Sequence, residues 1–225
     1  MNIDVASAVL WVFPLLVAVV FHEWAHGFVA YRLGDDTAQR LGRLTINPLA
    51  HIDPIGTLLM PALLFISGAP FLFGYAKPVP IGWQNLRNPV RDMVYVAAAG
   101  PGMNLLLAIA SAILLGLISR GTGADPFFWQ GVEPGSFAVA GPVAVMAWRS
   151  VMINVVLAVF NLLPIPPLDG GRVAVGLLPN ALAYRLASLE PYGFMIVFLL
   201  LMSGVLGLVL SPIVRTVVGL LRAFM

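Results

Sequence analysis

The chain has 225 residues, of which 60% are hydrophobic and only 10% charged. A soluble domain carries about 25% charged residues, so an ordinary soluble fold is excluded and an integral membrane protein is indicated. The absence of cysteine excludes disulfides and thiolate metal ligands, and a net charge of +2 without a basic cluster excludes a nucleic-acid binder.

The predicted class is an all-α polytopic membrane protein, organised as a single domain over residues 1–225. About four firm transmembrane helices are expected, with a re-entrant or additional span at 55–73 and short strands at the membrane edge. The first apolar run extends from Val5 to Leu33, long enough to cross a hydrocarbon core of about 30 Å. It carries Asp4 where a leader would carry basic residues, so a retained span is expected. Gly34, Asp35 and Asp36 end it. Arg40 to Asp53 is polar and turn-rich, which suggests short extended strands.

Ile55 to Phe73 is apolar but broken by Pro61, Gly68 and Pro70. It either crosses the bilayer or dips in and returns. Arg32, Arg40, Arg43, Lys77, Arg87 and Arg91 all lie between the first span and the one starting near Met93, and make up half of the chain's 12 cations. The positive-inside rule favours a cytoplasmic location for the whole region, with 55–73 re-entrant. Further spans are expected at Met93–Ile118, Val143–Leu163 and Tyr192–Leu210. Arg149, inside the third of these four firm spans, either snorkels outward or marks a later start. The tail from Pro212 to Met225 is amphipathic, and its Arg215 and Arg222 suggest the cytoplasmic surface.

Chemistry enters at His22-Glu23-Trp24-Ala25-His26. On a helix, positions i and i+4 share a face about 6 Å apart along the axis. Two imidazoles so placed can chelate one metal ion, and Glu23 on the adjacent turn can reach a bound water, as in HExxH metalloproteases. A structural histidine pair beside a satisfied glutamate is the plain alternative. It is disfavoured because an ionised side chain at membrane depth costs at least ~2.5 kcal/mol.

A catalytic zinc takes three protein ligands and keeps one position open, so a third ligand is needed. Asp169 follows an apolar span and the run Pro164-Ile165-Pro166-Pro167, and precedes Gly170 and Gly171. Irregular backbone at membrane depth is tolerated where it is buried in protein or lines a wet cavity. Two roles fit Asp169: a metal ligand, or a cap for the helix that begins near Gly170. His51 reads as an interfacial polar residue more readily than as a ligand. Asn104 reads as part of a small-residue helix contact more readily than as part of a site.

HEWAH in the first span, AAAGPGMN in a later one and NLLPIPPLDGGR after a third resemble the site-2 protease family, whose members cleave membrane-embedded substrates within the bilayer. LTINPLAHIDPIGT and FGYAKPVPI resemble its compact prokaryotic branch, and no PDZ-like insertion is present. The resemblance implies that His22, His26 and Asp169 hold one zinc ion, that Glu23 is the catalytic acid/base, and that Asn161 lies near the reaction centre. The implied activity is that of a zinc-dependent intramembrane endopeptidase acting on transmembrane segments. Its implied partners are a substrate helix and the lipid bilayer. Its implied location is a prokaryotic plasma membrane, multi-pass, with the active site toward the cytoplasm.

Zinc acidifies its bound water toward a pKa of ~7 and polarises a carbonyl. Glu23 would take the water proton and deliver it to the leaving amine. Asn161 would donate to the oxyanion or serve only as a polar helix contact. The strand-like 40–48 and the loop near 77–81 would clamp an unwound substrate by edge pairing. An HExxH protease with a glutamate third ligand is disfavoured, because Glu23 is the one intramembrane glutamate. A non-enzymatic transporter would show paired broken helices or internal symmetry, and an inactive scaffold would have lost a ligand or Glu23. Neither signature is present.

Overall fold

The computed structural model describes residues 5–60, 63, 66, 74–131 and 139–225. Among these residues the chain is helical, with no strand. Helix α1 is Val5–Arg32, α2 is the short Thr37–Arg40, α3 is Pro89–Thr122 and α4 is Ala140–Asn161. They are followed by α5 at Asp169–Leu177, α6 at Asn180–Ala187, α7 at Gly193–Met202 and α8 at Val205–Leu221. Five helical stretches among the described residues are long and apolar enough to cross a membrane: Val9–Arg32, Pro89–Thr122, Ala140–Asn161, Asn180–Met202 and Val205–Phe224. The polytopic all-α class is therefore observed, with one more candidate span than the four firm ones expected.

Local sequence explains the helix limits. Beyond α1, Gly34 takes φ +114° and the Asp35 amide bonds back to Ala30 O at 2.9 Å, which satisfies a terminal carbonyl. Pro89 opens α3 with its fixed φ, and Asp92, one turn in, accepts from the Asn88 amide at 2.8 Å. Gly123, left-handed at φ +71°, closes it.

The centre of the molecule is the packing of α3 against both α1 and α4. Ala108 and Ala112 of α3 meet Val151, Val155 and Val159 of α4, with Val214 and Leu221 of α8 completing the cluster. Alanines at the crossing let the helix backbones approach, and close packing substitutes for the hydrophobic effect that lipid cannot supply. Around this centre, Trp11, Phe13, Leu106, Leu117, Leu208 and Leu220 face outward, as a lipid-facing surface requires.

Three expectations are corrected. The edge strands are not found among the described residues. Arg43–His51 folds instead into turns and a 3-10 turn at Pro48–His51, where the Asn47 side chain accepts from the Leu49 amide at 3.1 Å. Local hydrogen bonds from Asn and Thr side chains take up the groups that a ladder would have used. The single span expected over Tyr192–Leu210 is broken at Gly204, whose φ of +75° ends α7 and starts α8. Finally, the tail expected on the cytoplasmic surface belongs to a helical stretch long and apolar enough to span, Val205–Phe224. The carbonyl oxygens of Phe224 and Met225 lie 2.6 and 2.5 Å from where a Cβ on Gly116 would be, and Arg222 stacks over the Phe127 ring at 4.2 Å. Gly116 is sixteen residues beyond Gly100, about 24 Å along α3. The carboxyl terminus therefore sits at the opposite end of the bundle from His22 and His26.

Described residues 54–59 form a π-helical turn, capped by the Asp53 side chain on the Ile55 and Gly56 amides. The remainder of the 55–73 segment that would decide between crossing and re-entry lies outside the described residues, as do Asp4 and Glu133. Arg149 lies well inside α4 and stacks over Trp11 at 4.6 Å.

Candidate metal centre

The two histidines of α1 face α3 and the loop after α4. His22 and His26 bring their Nε2 atoms to 3.0 Å from each other. Asp169 Oδ2 lies 3.1 Å from the first and 3.4 Å from the second. His22, His26 and Asp169 form the one group of potential ligands found among the described residues, all three buried.

The other side of each ring fixes its proton. His26 Nδ1 is 2.7 Å from Val96 O. A backbone carbonyl only accepts, so Nδ1 carries the hydrogen and Nε2 keeps its lone pair. His22 Nδ1 donates in the same way to Asn104 Oδ1 at 2.6 Å. With both rings in their neutral form, three lone-pair atoms converge, and Asp169 Oδ2 is buried with no hydrogen-bond partner. Such an arrangement is repulsive until a cation occupies it. Donor atoms about 2.0–2.1 Å from a tetrahedral ion stand about 3.3 Å apart, which the observed separations match. The residues fit a metal ion, and a nitrogen/oxygen donor set suits zinc.

Two local features open the space. At Gly100 of α3, an added Cβ would lie 2.6 Å from both Cε1 and Nε2 of His22 and closer still to His26 Nε2. Only a residue without a side chain leaves the position free. On the other side, Gly170 and Gly171 press against the backbone of Leu162–Pro166, where any Cβ would collide with main-chain atoms. The first turn of α5, and Asp169 with it, is thereby seated against the proline loop. The capping role for Asp169 does not hold: Leu168 is the N-cap residue, and no side chain caps this helix.

His22, His26 and Asp169 line a cavity of about 1070 Å³ with mostly apolar walls, among them Val19, Tyr75, Phe160 and Phe194. Glu23 lines the same cavity, and its Oε2 accepts from the Val79 amide at 2.9 Å. Asn161 also lines it, but its Nδ2 donates to Leu157 O at 3.0 Å, within its own helix. His51 is not brought to the cluster. It is buried, with Nε2 donating to Thr45 O at 2.8 Å.

Sequence reasoning undervalued Asn104, which touches a ligand directly, and overlooked Gly100 and Asn154. Asn104 and Asn154 are fully buried amides inside apolar helices, and that rarity was the available signal.

The fold and site together define a polytopic membrane metallopeptidase. Residues 10–204 match Peptidase family M50, and the chain belongs to that family, of the site-2 protease type. It is similar to "Putative zinc metalloprotease YwhC" of Bacillus subtilis, 38% identical over 205 residues, covering 87% of this chain and 81% of the relative. It is also similar to "Putative zinc metalloprotease Rip2" of Mycolicibacterium smegmatis, 33% identical over 193 residues, covering 85% of this chain and 66% of that protein. The Rip2 protein of Mycobacterium tuberculosis is 31% identical over 158 residues, and the matched region spans about half of its length (52%). No solved structure matches the chain.

Proposed function

We propose that the chain is a single-domain zinc endopeptidase that cleaves transmembrane segments of other membrane proteins within the bilayer, using His22, His26 and Asp169 as ligands and Glu23 as general acid/base. The observation that carries the reading is the convergence of the Nε2 atoms of His22 and His26 and one orphaned carboxylate oxygen of Asp169 on a cavity that also holds Glu23. The relatives, named "Putative zinc metalloprotease" YwhC and Rip2, agree with it.

When bound, zinc supplies Lewis acidity, polarising a carbonyl and acidifying water. The protein does the rest. The apolar walls desolvate an extended peptide, and the cavity volume exceeds the roughly 300–1,000 Å³ of small-molecule pockets. Residues 74–80 form a segment without helix or strand, of which Gly74, Tyr75, Ala76, Pro78 and Val79 line the cavity. The Tyr75 and Lys77 amides are bonded to Gly56 O and His51 O, and the Val79 amide becomes available to a substrate strand once Glu23 releases it. Glu23 leaves the Val79 amide, takes a proton from the attacking water and returns it to the amine of the departing fragment. Asn161, turned away from Leu157 O, donates to the oxyanion.

Arg32, Arg40, Arg43, Lys77, Arg87 and Arg91 cluster in sequence around the metal-side end of α1 and α3, which supports a cytoplasmic active site in a prokaryotic plasma membrane. The carboxyl terminus then faces the other compartment.

The test is Glu23→Gln. Its side chain keeps its size and loses its basicity, so the purified variant should retain stoichiometric zinc while cleavage of a reporter transmembrane substrate drops by about 10²–10⁴. Wild-type turnover by this variant would remove Glu23 from the mechanism.

A further inference from the structure

We propose that Asn154 of α4 is a positioning residue for the metal centre: it fixes the amide orientation of Asn104, and through it the ring tautomer in which His22 presents an unprotonated Nε2. Asn154 touches neither a ligand nor the cavity. It is fully buried, and it reaches His22 through a chain of hydrogen bonds spanning α1, α3 and α4.

The polarity of this chain is set by groups that cannot reverse. Asn154 Nδ2 donates to Ser150 O at 2.9 Å. A carbonyl oxygen has no proton to give, so Asn154 must turn its nitrogen that way and its Oδ1 toward α3. Oδ1 accepts from Asn104 Nδ2 at 2.8 Å. The same Nδ2 donates to a second carbonyl, Ala18 O of α1, at 3.2 Å. Both hydrogens of the Asn104 amide are thereby used, and Asn104 Oδ1 is left facing His22 Nδ1. An oxygen there demands Nδ1–H, which leaves the Nε2 lone pair directed at His26 and Asp169.

A flipped Asn104 would have the opposite effect. Its NH₂ would face His22 Nδ1, forcing the proton onto Nε2 and blocking the ligand position. Ala18 O opposes the flip with one long bond, and Asn154 opposes it with a shorter one. Behind Asn154, the Ser150 hydroxyl lies 3.2 Å from its Nδ2 and 2.8 Å from the Ser111 hydroxyl of α3, so the relay continues as a polar seam between α3 and α4. Polar contacts of this kind join helices in lipid, and this one ends on a proposed metal ligand. Groups that orient a ligating histidine typically contribute 10- to 100-fold to metal affinity.

The inference rests on the metal-site reading, and a double-mutant cycle separates the two. Zinc affinity is measured by chelator competition on detergent-purified protein for wild type, Asn154→Leu, Asn104→Asp and the double variant. Helix content is checked by circular dichroism, and Asn154→Ala replaces the leucine variant if that one misfolds. A carboxylate at position 104 presents an acceptor to His22 Nδ1 whichever way it turns, so the ring tautomer no longer depends on an orienting partner. Its second oxygen, set against the acceptors Ala18 O and Asn154 Oδ1, gains nothing from Asn154. Asn154→Leu should therefore weaken zinc binding about 10- to 100-fold in the wild-type background and by less than about threefold in the Asn104→Asp background. Equal losses in both backgrounds would reduce Asn154 to a packing residue and overturn the proposal, as would no loss in either. The wild-type protein tests it without substitution: ¹⁵N spectra of metal-free protein should show His22 protonated at Nδ1, and a dominant Nε2–H form would overturn the relay. Retention of zinc by His26→Ala would instead defeat the metal-site reading itself.

Discussion

The α1–α3–α4 bundle and the α6–α7 stretch have similar apolar composition but opposite packing. In the bundle, Ala18, Val96, Ala108, Val151 and Val155 are all buried. Along α6 and α7, Leu182, Tyr184, Phe194, Met195, Phe198, Leu199 and Met202 are all exposed. Hydrophobicity places both in lipid, but it does not make either pack. Small residues, buried amides and a glycine beside a ligand are what draw the bundle together, and the two histidines and their proton-fixing partners lie there. Asp169 lies at the border between the two regions. Its helix α5 packs on α3 and also contacts α6, while Phe194 and Phe198 of α7 form one wall of the cavity. The closely packed region fixes the ligand geometry, and the more exposed one borders the space that a substrate would enter.

The largest expected effect breaks the link across that border. Asp169→Ala and Asp169→Asn should both lower zinc affinity by more than the roughly 100-fold attributed to groups that only support a ligand, and both should abolish cleavage. Helix content should be unchanged, because Asp169 caps nothing. Metal analysis of purified variants with matched circular dichroism decides it. Normal zinc content in Asp169→Asn would return the residue to a structural role.

Within the bundle, two glycines two residues apart in α3, on roughly opposite faces, provide a sharper contrast. Gly100→Ala drives a methyl group against both imidazoles, and overpacking of this kind costs about 1–3 kcal/mol. This should appear as weakened zinc binding in a competition assay. Gly102 has nothing within 4 Å of its would-be Cβ, so Gly102→Ala should bind zinc normally and gain about 0.5–1 kcal/mol in helix stability.

The packing difference itself can be measured by unfolding in detergent. Val151→Ala, at a fully buried contact between α3 and α4, should cost about 1–3 kcal/mol. Leu199→Ala, at a side chain 58% exposed, should stay within about 0.5 kcal/mol. Equal costs would mean that α7 is held as firmly as α4.

The smallest effect concerns the metal-side end of α1, where Asp35 ties the helix to Gly82 and Asn85. Burial pushes its carboxyl up, but hydrogen bonds from the Thr37 hydroxyl, the Asn85 side chain and the Thr37 and Gly82 amides outweigh burial and hold it below the ordinary range. A depressed folded-state value stabilises the protein above the unfolded pKa of about 3.9, and the contribution is lost as pH falls through the folded value. The melting-temperature gap between wild type and Asp35→Asn should therefore be constant above about pH 5 and close on further acidification.

Much of the site was legible because its chemistry is local. His22, Glu23 and His26 lie within one and a half turns of a single helix, and their spacing alone puts both rings on one face. Asp169 was legible as a candidate from its proline frame, with the capping alternative open until Leu168 proved to be the N-cap. The break at Gly204 was missed because hydropathy averages over Tyr192–Leu210, although the Ser203-Gly204 dipeptide within it is a turn signal. Edge strands were expected at 40–48 because turn chemistry and strand ends use the same residues.

The sequence by itself determined the solvent of this protein, the number and approximate position of most of its helices, and three of the residues at its centre, because hydropathy and helical spacing act over a few turns. Tertiary structure alone decided the rest. It brought Asp169 of α5 to the two histidines of α1, and it put Gly100 where a side chain would fill the ligand space. It carried the carboxyl terminus to the far end of α3. It also joined Asn104 and Asn154, fifty residues apart, into the bond that fixes a proton on His22. These depend on which helices touch, and in lipid that choice rests on close packing and a few buried polar bonds, which leave no periodic trace in the chain.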